Sequence, residues 1–382
     1  MDFALTEEQQ MVQDMARRLA EAEIKPRAAE LDEKHEHPAD LVKMMGELKL
    51  LGIAVPEEYG GGGMDNVCYA LALIEICKAC ASTGVIMSVN NSLYSYPVMA
   101  FGTHEQKEKY LEPCASGKHL GCYGLTEAGA GSDPSKLLTT AVKDGNEWIL
   151  NGEKKFITNG NVADYCVLAA ITEKGIGYKG ISTFVVNLSE TKGFKVGRIE
   201  EKLGILASGT SELIFEDARV PADALLGHEG EGFKQMLKTL DGGRIGIASQ
   251  AIGIGRAVIE DALAYAKTRE QFGQPITSFQ GIQWKFADMA TELDAAELLT
   301  LRAAWLEDNK KNYEKEAAMA KMYASDAAMR ASIEGVQILG GYGYCKEYPM
   351  ERHMRDAKIC QIYEGTNEIM RMVIANNLVK GR

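Results

Sequence analysis

Glu364 closes the mostly apolar run Ile359–Tyr363 and precedes Gly365-Thr366-Asn367. A carboxylate in such surroundings is desolvated, its pKa rises, and it becomes a base suited to neutral pH. The competing assignment is a capping carboxylate beside Thr366, a role that Glu368 fits better. Three other segments carry residues suited to holding a ligand. Tyr123-Gly124-Leu125-Thr126-Glu127-Ala128-Gly129-Ala130-Gly131-Ser132-Asp133 is rich in small and hydroxyl residues. Backbone N–H groups there can approach a flat ring or a phosphate; the plainer alternative is a Gly-rich linker. It is not a dinucleotide fingerprint, because strand-then-helix surroundings are lacking. Lys155-Phe156-Ile157-Thr158-Asn159-Gly160 sets an aromatic and a Thr on one face of an expected strand, one to cover a ring and one to bond its edge. Alone, an ordinary core Phe would explain it. Arg269-Glu270-Gln271-Phe272-Gly273-Gln274-Pro275 breaks two long helices, and an Arg at such a bend can meet a pyrophosphate. The same Arg also suits a helix C-terminus.

These segments need elements to position them. Thr6-Glu7-Glu8-Gln9 is a capping box, with Met11, Met15 and Leu19 following at helical spacing. Pro26 closes or kinks that helix. Gly60–Gly63 is expected to be a flexible connector. Helical patterns return over Leu71–Ala81 and Gln106–Cys114. From Gly121 the segments become short, β-branched and aromatic. Thr139–Val142 and Trp148–Leu150 flank Asp144-Gly145-Asn146 as a hairpin, and Tyr165–Ile171, Ile181–Val186 and Leu213–Phe215 are further strands. Beyond Gly230 the pattern is helical. Ile282, Phe286, Met289, Leu293, Ala296 and Leu299 mark one face of a long helix, another helix covers about Glu316–Leu339, and a last one starts near Asn367. The expected class is α+β: a helical domain over residues 1–120, a β-barrel or sandwich over 121–228, and a four-helix bundle over 229–382.

The 382 residues exceed one hydrophobic core. A net charge of −12 argues against nucleic acid as partner, and no apolar run is long enough to span a membrane. The acidic opening from Met1 and Asp2 reads as a helix start, not a signal or transit peptide. The 8 cysteines are scattered, as free thiols in a reducing compartment would be. Cys77-Lys78-Ala79-Cys80 lacks a second ligand pair, so helix packing is favoured over a metal or redox site. His35 and His37 fall in a charged turn. No metal site is expected.

Together the segments resemble the acyl-CoA dehydrogenases, most closely the short-chain (butyryl-CoA) branch, over nearly the whole chain. Gly84–Tyr94, Thr239–Gln250 and Tyr363–Thr366 are the most telling stretches. The resemblance implies FAD as cofactor and acyl-CoA as substrate. It implies isoalloxazine contacts from Tyr123, Leu125, Thr126, Gly131 and Ser132, and from Phe156, Ile157 and Thr158. Arg269, Phe272, Gln280, Gln337, Ile338, Leu339, Gly340 and Gly341 would reach the FAD of a neighbouring subunit, and Thr366, Asn367 and Glu368 would complete the site. Ser132, Asp241, Gly242, Gly243 and Arg244 would meet the substrate's CoA arm. Gln250 and Cys360 would close the acyl pocket. Glu364 would take the α-proton, while Gly365 helps hold the thioester carbonyl. The implied setting is a cytoplasmic homotetramer, or a mitochondrial matrix one if a transit peptide has been removed, that passes electrons to an electron-transferring flavoprotein. Phe156 stands where many members have Trp, Ala128 where Pro is usual, and Leu206 where Arg is common. Alternatives are a dehydrogenase for a branched or cyclic acyl group, a flavin oxidase, and a non-catalytic acyl-CoA-binding scaffold.

Overall fold

A computed structural model describes residues 3–381, so Met1 and Asp2 of the acidic opening lie outside the described residues. The first third is helical: α1 (Glu7–Leu19), α2 (Ala28–Lys34), α3 (Ala39–Glu47), α4 (Asn66–Ala79), α5 (Ala81–Ser88), α6 (Tyr96–Phe101), α7 (His104–Gln106) and α8 (Glu112–Ala115). Thr6 and Gln9 close the capping box in both directions. The buried stripe of α1 is Val12, Ala16 and Leu19, whereas Met11 is exposed. That stripe packs against α4, in one core with Tyr69, Ala72, Leu73 and Ile76. Pro26 kinks the chain instead of ending it: a π turn over Ala20–Ile24 and a 3-10 turn over Lys25–Arg27 lead into α2.

The Gly60–Gly63 run is not a flexible connector. Gly62 N–H donates to Gly52 O at 2.9 Å and Gly63 N–H to Val55 O at 2.8 Å. A Cβ on Gly61 would fall 2.1 Å from Val55 O, so the turn packs where only glycine fits. The helix expected over Leu71–Ala81 breaks at Cys80, whose φ −156° and ψ 112° separate α4 from α5. Cys77 packs under α5, where a Cβ on Gly84 would lie 2.1 Å from its Sγ. A π segment, Val89–Ser95, follows, and its Asn90 bonds Leu51 O, Cys114 O and Gly121 N, tying the helices to the first strand.

The middle third holds β1 (Gly121–Gly124), β2 (Thr140–Asp144), β3 (Glu147–Thr158), β4 (Tyr165–Ile171), β5 (Ile181–Asn187), β6 (Phe194–Ile199), β7 (Thr210–Pro221) and β8 (Leu225–Leu226). The sheet order is β6-β7-β3-β2-β4-β5-β8, with β1 pairing β4 in parallel. It folds over a core in which Trp148 of β3 meets Phe184 of β5, ring centroids 5.3 Å apart. The barrel does not close. β8 offers only two residues, and β6 presents Lys195 and Arg198 on an exposed edge, which discourages further pairing. β6 was not among the expected strands, because Lys195, Gly197 and Arg198 interrupt its apolar alternation.

The last third is α9 (Gly232–Thr268), a small hairpin of β9 (Glu270–Gln271) and β10 (Gln274–Pro275), α10 (Gln280–Asp308), α11 (Glu314–Leu339), α12 (Met350–Ile359) and α13 (Asn367–Val379). α11 packs on α9, α10, α12 and α13, and α9 also lies against α4, so the two helical regions are continuous. On α10 the buried face is Met289, Leu293, Ala296, Thr300 and Ala303, while Ile282 and Phe286 are only partly covered. α12 was not among the expected helices: Glu351, Arg352, Arg355, Asp356 and Lys358 leave it few apolar positions, although Met350 and Ala357 are buried. Among the described residues no helix is long and apolar enough to cross a membrane.

Candidate active site

Glu364 lies in the turn between α12 and α13 with φ 52°, followed by Gly365 at φ 99°. Thr366 ends the turn by capping α13, its side chain accepting from Ile369 N. This turn delivers the carboxylate to α9, at a point where α9 has no side chain. A Cβ on Gly243 would fall 2.0 Å from Glu364 Oε2. The residue as a whole is partly exposed, yet Oε2 is sealed and has no hydrogen-bond partner. Burial pushes its pKa up to about 7, while Lys321 and Arg244 pull in the opposite direction. A desolvated carboxylate with a free oxygen is equipped to accept a proton near neutral pH.

Around it the site is built from α9, the end of α12, α11 and β1. From α9, Arg244 donates to Asp241 at 2.7 Å and is itself buried, and burial raises the Asp241 carboxyl to about 6. Gln250, fully buried, accepts from the Tyr363 hydroxyl and leaves its Nε2 unpartnered. Cys360 is also fully buried, its thiol pushed up to about 12 by burial. From α11, Lys321 donates to Gly365 O at 2.6 Å and Asn367 Oδ1 at 3.0 Å. From β1, Tyr123 brings an unpartnered buried hydroxyl that feels the charge of Glu364.

The first two ligand segments are brought together. Lys155 N–H donates to Thr126 O at 2.8 Å, and Lys154 Nζ reaches Leu125 O at 3.3 Å and Glu127 at 2.7 Å. Gly129 and Gly131 face open space and Ser132 is exposed. The regular alternation expected at Phe156 is broken. A bulge between Lys154 and Ile157 buries these two residues three positions apart, and Phe156, at φ 58°, is 63% exposed. Thr158 is half-buried beside buried Asn159.

Arg269 ends α9 and lies over the Tyr342 ring, 5.8 Å from its centroid. With Ile338, Leu339, Gly340 and Gly341 it lines a cleft of about 520 Å³, separate from the Glu364 turn. Gln337 is exposed at the end of α11, and Phe272 and Gln280 are exposed outside the cleft. Asn367 is committed within the chain: its amide bonds Lys321, Ser325 and Asp326, its N–H donates to Gln361 O at 3.0 Å and its carbonyl accepts from Arg371. Glu368 lies exposed in the first turn of α13, and Thr366, Asn367 and Glu368 line a second cleft of about 260 Å³. Two groups escaped the sequence argument. Lys321 was signalled by a lysine on the small-residue face Ala317, Ala324, Ala328; the buried Glu127–Lys154 pair carried no signal, since its partners are far apart in sequence.

The chain matches the acyl-CoA dehydrogenase N-terminal domain over residues 6–118, the middle domain over 122–218 and the C-terminal domain over 230–379. The chain belongs to the acyl-CoA dehydrogenase family. It is 53% identical over 98% of its length to the short-chain specific acyl-CoA dehydrogenase of Bos taurus mitochondria, covering 91% of that protein. It is 48% identical to the short-chain specific enzyme of Clostridium acetobutylicum over the full length of both. Butyryl-CoA dehydrogenase from Megasphaera elsdenii superposes with a TM-score of 0.97 at 46% identity, covering 99% of this chain and 100% of that one. A chain from a structure of the electron transferring flavoprotein of Acidaminococcus fermentans gives 0.98 at 51% identity, covering 100% of both.

Proposed function

We propose that this acyl-CoA dehydrogenase acts on a short, four-carbon acyl thioester, with Glu364 as the α-proton acceptor and FAD as cofactor. The observation that carries the proposal is Glu364 itself: one oxygen sealed and unpartnered, held over Gly243, with its pKa near 7. The surroundings fit FAD. The open glycines 129 and 131 leave room for a ring beside Tyr123, Leu125, Thr126 and the Phe156–Thr158 bulge. Arg269 and the open Gly340-Gly341 suit a phosphate arm, with Phe272, Gln280 and Gln337 turned outward toward a neighbouring subunit's nucleotide. When bound, FAD supplies the acceptor for the β-hydride.

The protein's part is alignment and exclusion of water. The Asp241–Arg244 pair and Ser132 suit the CoA arm. Lys321 fixes the Gly365 peptide by donating to Gly365 O, and the Gly365 N–H is the donor suited to the thioester carbonyl, where it would stabilise negative charge developing on oxygen. Glu364 then takes the α-proton on its carboxylate. Gln250, Tyr363 and Cys360 form a closed wall that limits acyl length. Electrons leave to an electron-transferring flavoprotein, and the working unit is a homotetramer. A reducing, cytoplasmic setting goes with eight free cysteines. The test is a survey of purified protein with acyl-CoAs of graded length and branching, followed by flavin bleaching. Fastest bleaching with the linear four-carbon thioester is expected. A colourless protein, or a flavin that no acyl-CoA bleaches, would sink the proposal.

A further inference from the structure

Lys321 is fully buried on α11, between Ala317 and Ala324 on its small-residue face. A buried ammonium is costly unless a carboxylate or several acceptors answer it. Its partners are two neutral oxygens, Gly365 O at 2.6 Å and Asn367 Oδ1 at 3.0 Å. Both belong to the turn that carries Glu364. That turn needs holding, because Glu364 has φ 52° and a residue with a side chain avoids that region. Ser325, one turn further along α11, holds Asn367 from the same side.

The charge of Lys321 is also left uncommitted. Arg244 faces the same carboxylate but is bonded to Asp241 at 2.7 Å. Acting on Lys321 are Cys360, Glu364 and Asp326, which favour its ammonium, and Arg244, which opposes it; burial lowers its pKa to about 8. The groups facing Glu364 are Lys321 from α11, Arg244 from α9, Tyr69 from α4, Tyr123 from β1 and the adjacent Tyr363. The three phenols are neutral at working pH, so the two cations set the field there.

We infer that Lys321 is the positioning residue of the base: it pins the Glu364–Asn367 turn through Gly365 O and Asn367 Oδ1 and supplies the positive charge that keeps Glu364 ready to accept a proton. The inference rests on the proposal that Glu364 is the α-proton acceptor.

The experiment uses the flavin-loaded enzyme and two variants. Lys321→Met keeps the stem and removes the charge; Lys321→Arg keeps the charge. The rate rises with pH as Glu364 loses its proton, so removing a nearby cation moves that rising limb to higher pH. In Lys321→Met the limb should move up by about one pH unit, the scale on which one close charge acts. KM for the acyl-CoA should change much less than kcat, and Lys321→Arg should leave the limb close to its wild-type position. Infrared titration of the Glu364 carboxyl, assigned by subtraction of Glu364→Gln, should show the same displacement without any turnover. An unmoved midpoint in Lys321→Met overturns the inference. So does failure of both variants to accumulate as folded protein, since the lysine would then serve folding alone. Wild-type protein that bleaches with no acyl-CoA would refute the proposed function instead, and the infrared midpoint would still judge Lys321.

Discussion

Two glutamates with desolvated carboxylates in this chain are treated in opposite ways. Glu127, at the junction of the helical and β regions, accepts four hydrogen bonds, from Leu138 N, Thr139 N, Thr139 Oγ1 and Lys154 Nζ. Burial opposes its charge, but Lys154, Thr139 and Leu138 outweigh burial and hold its pKa below the usual carboxylate value. Glu364 is desolvated more heavily, with one oxygen unpartnered, and its pKa rises to about 7. Desolvation acts on both; Glu127 answers it with a directly bonded cation and three further donors, whereas one oxygen of Glu364 has none. A carboxylate whose donors are all supplied fastens two segments together. One left short of donors keeps a lone pair for a proton.

The comparison breaks most visibly if Glu364 loses its basicity. Glu364→Gln keeps the shape over Gly243 and cannot take a proton. Turnover should fall by ~10²–10⁴-fold, the usual worth of a general base, with flavin and acyl-CoA still bound. Stopped-flow bleaching against a binding titration measures both. More than about a hundredth of the wild-type rate would contradict the assignment.

Lys154→Met attacks the other glutamate and should act on stability. It leaves Glu127 charged and buried without its cation, a change that typically costs about 3–5 kcal/mol. Because Lys154 also reaches Leu125 O, the Tyr123–Ser132 loop should loosen and flavin content should drop with it. Denaturant unfolding and flavin-to-protein absorbance check this. An unchanged midpoint would mean that the pair is not a fastening.

Stability against pH sharpens the contrast, because the two groups have opposite signs. Glu364 has a folded pKa near 7, above its unfolded value of 4.5. Its contribution is therefore fully favourable below about pH 4.5 and is lost as pH rises through about 7. Glu127 is shifted down, so its contribution is present above its unfolded pKa and lost as pH falls through the folded one. Melting curves should show Glu364→Gln gaining on wild type from about pH 5 to about pH 8, by at most ~1.4 kcal/mol for each tenfold difference in proton affinity between the folded and unfolded chain. Glu127→Gln should be weaker than wild type at neutral pH, and that deficit should shrink in acid. Parallel profiles for the two variants would remove the distinction.

What could be read before the structure followed from local rules. The capping box at Thr6, the hairpin around Gly145 and the long helices each declare themselves within a few residues. Glu364 stood out because a carboxylate beside an apolar run is locally conspicuous. The misses depend on long-range packing. Glu127 and Lys154 are 27 residues apart and meet only when β3 folds back on the Tyr123–Ser132 loop. Whether the sheet closes into a barrel is decided by β6 and β8 at its two ends, and β6 has a weak local pattern. The bulge at Phe156 appears only when β3 and β7 are set in register. Gly243 could be read as lacking a spare carboxylate, but its glycine is what admits the Glu364 carboxylate against α9, a fact of two elements separated by more than a hundred residues.

The smallest effect concerns the wall behind the base. Gln250 is buried within this chain, and its amide carbonyl accepts from the Tyr363 hydroxyl next to Glu364. A buried amide with one end bonded and Nε2 free is an expensive way to fill space, so its value must lie in the shape it gives the pocket. Gln250→Ala opens room for roughly two or three methylenes, each worth ~0.8 kcal/mol when it fits. It also frees the Tyr363 hydroxyl, a hydrogen bond worth about 0.5–1.5 kcal/mol. The two effects pull kcat/KM in different directions for different substrates. Four-carbon acyl-CoA should lose several-fold as Tyr363 loosens, while acyl-CoAs of six carbons or more should gain, moving the optimum upward. Cys360, equally buried nearby, should shift the profile less on Cys360→Thr, since the volume hardly changes. Chain-length profiles of kcat/KM for the two variants decide the matter. A Gln250→Ala profile that keeps the wild-type optimum while the protein melts earlier would show that Gln250 supports the helix packing and leaves substrate length to other residues.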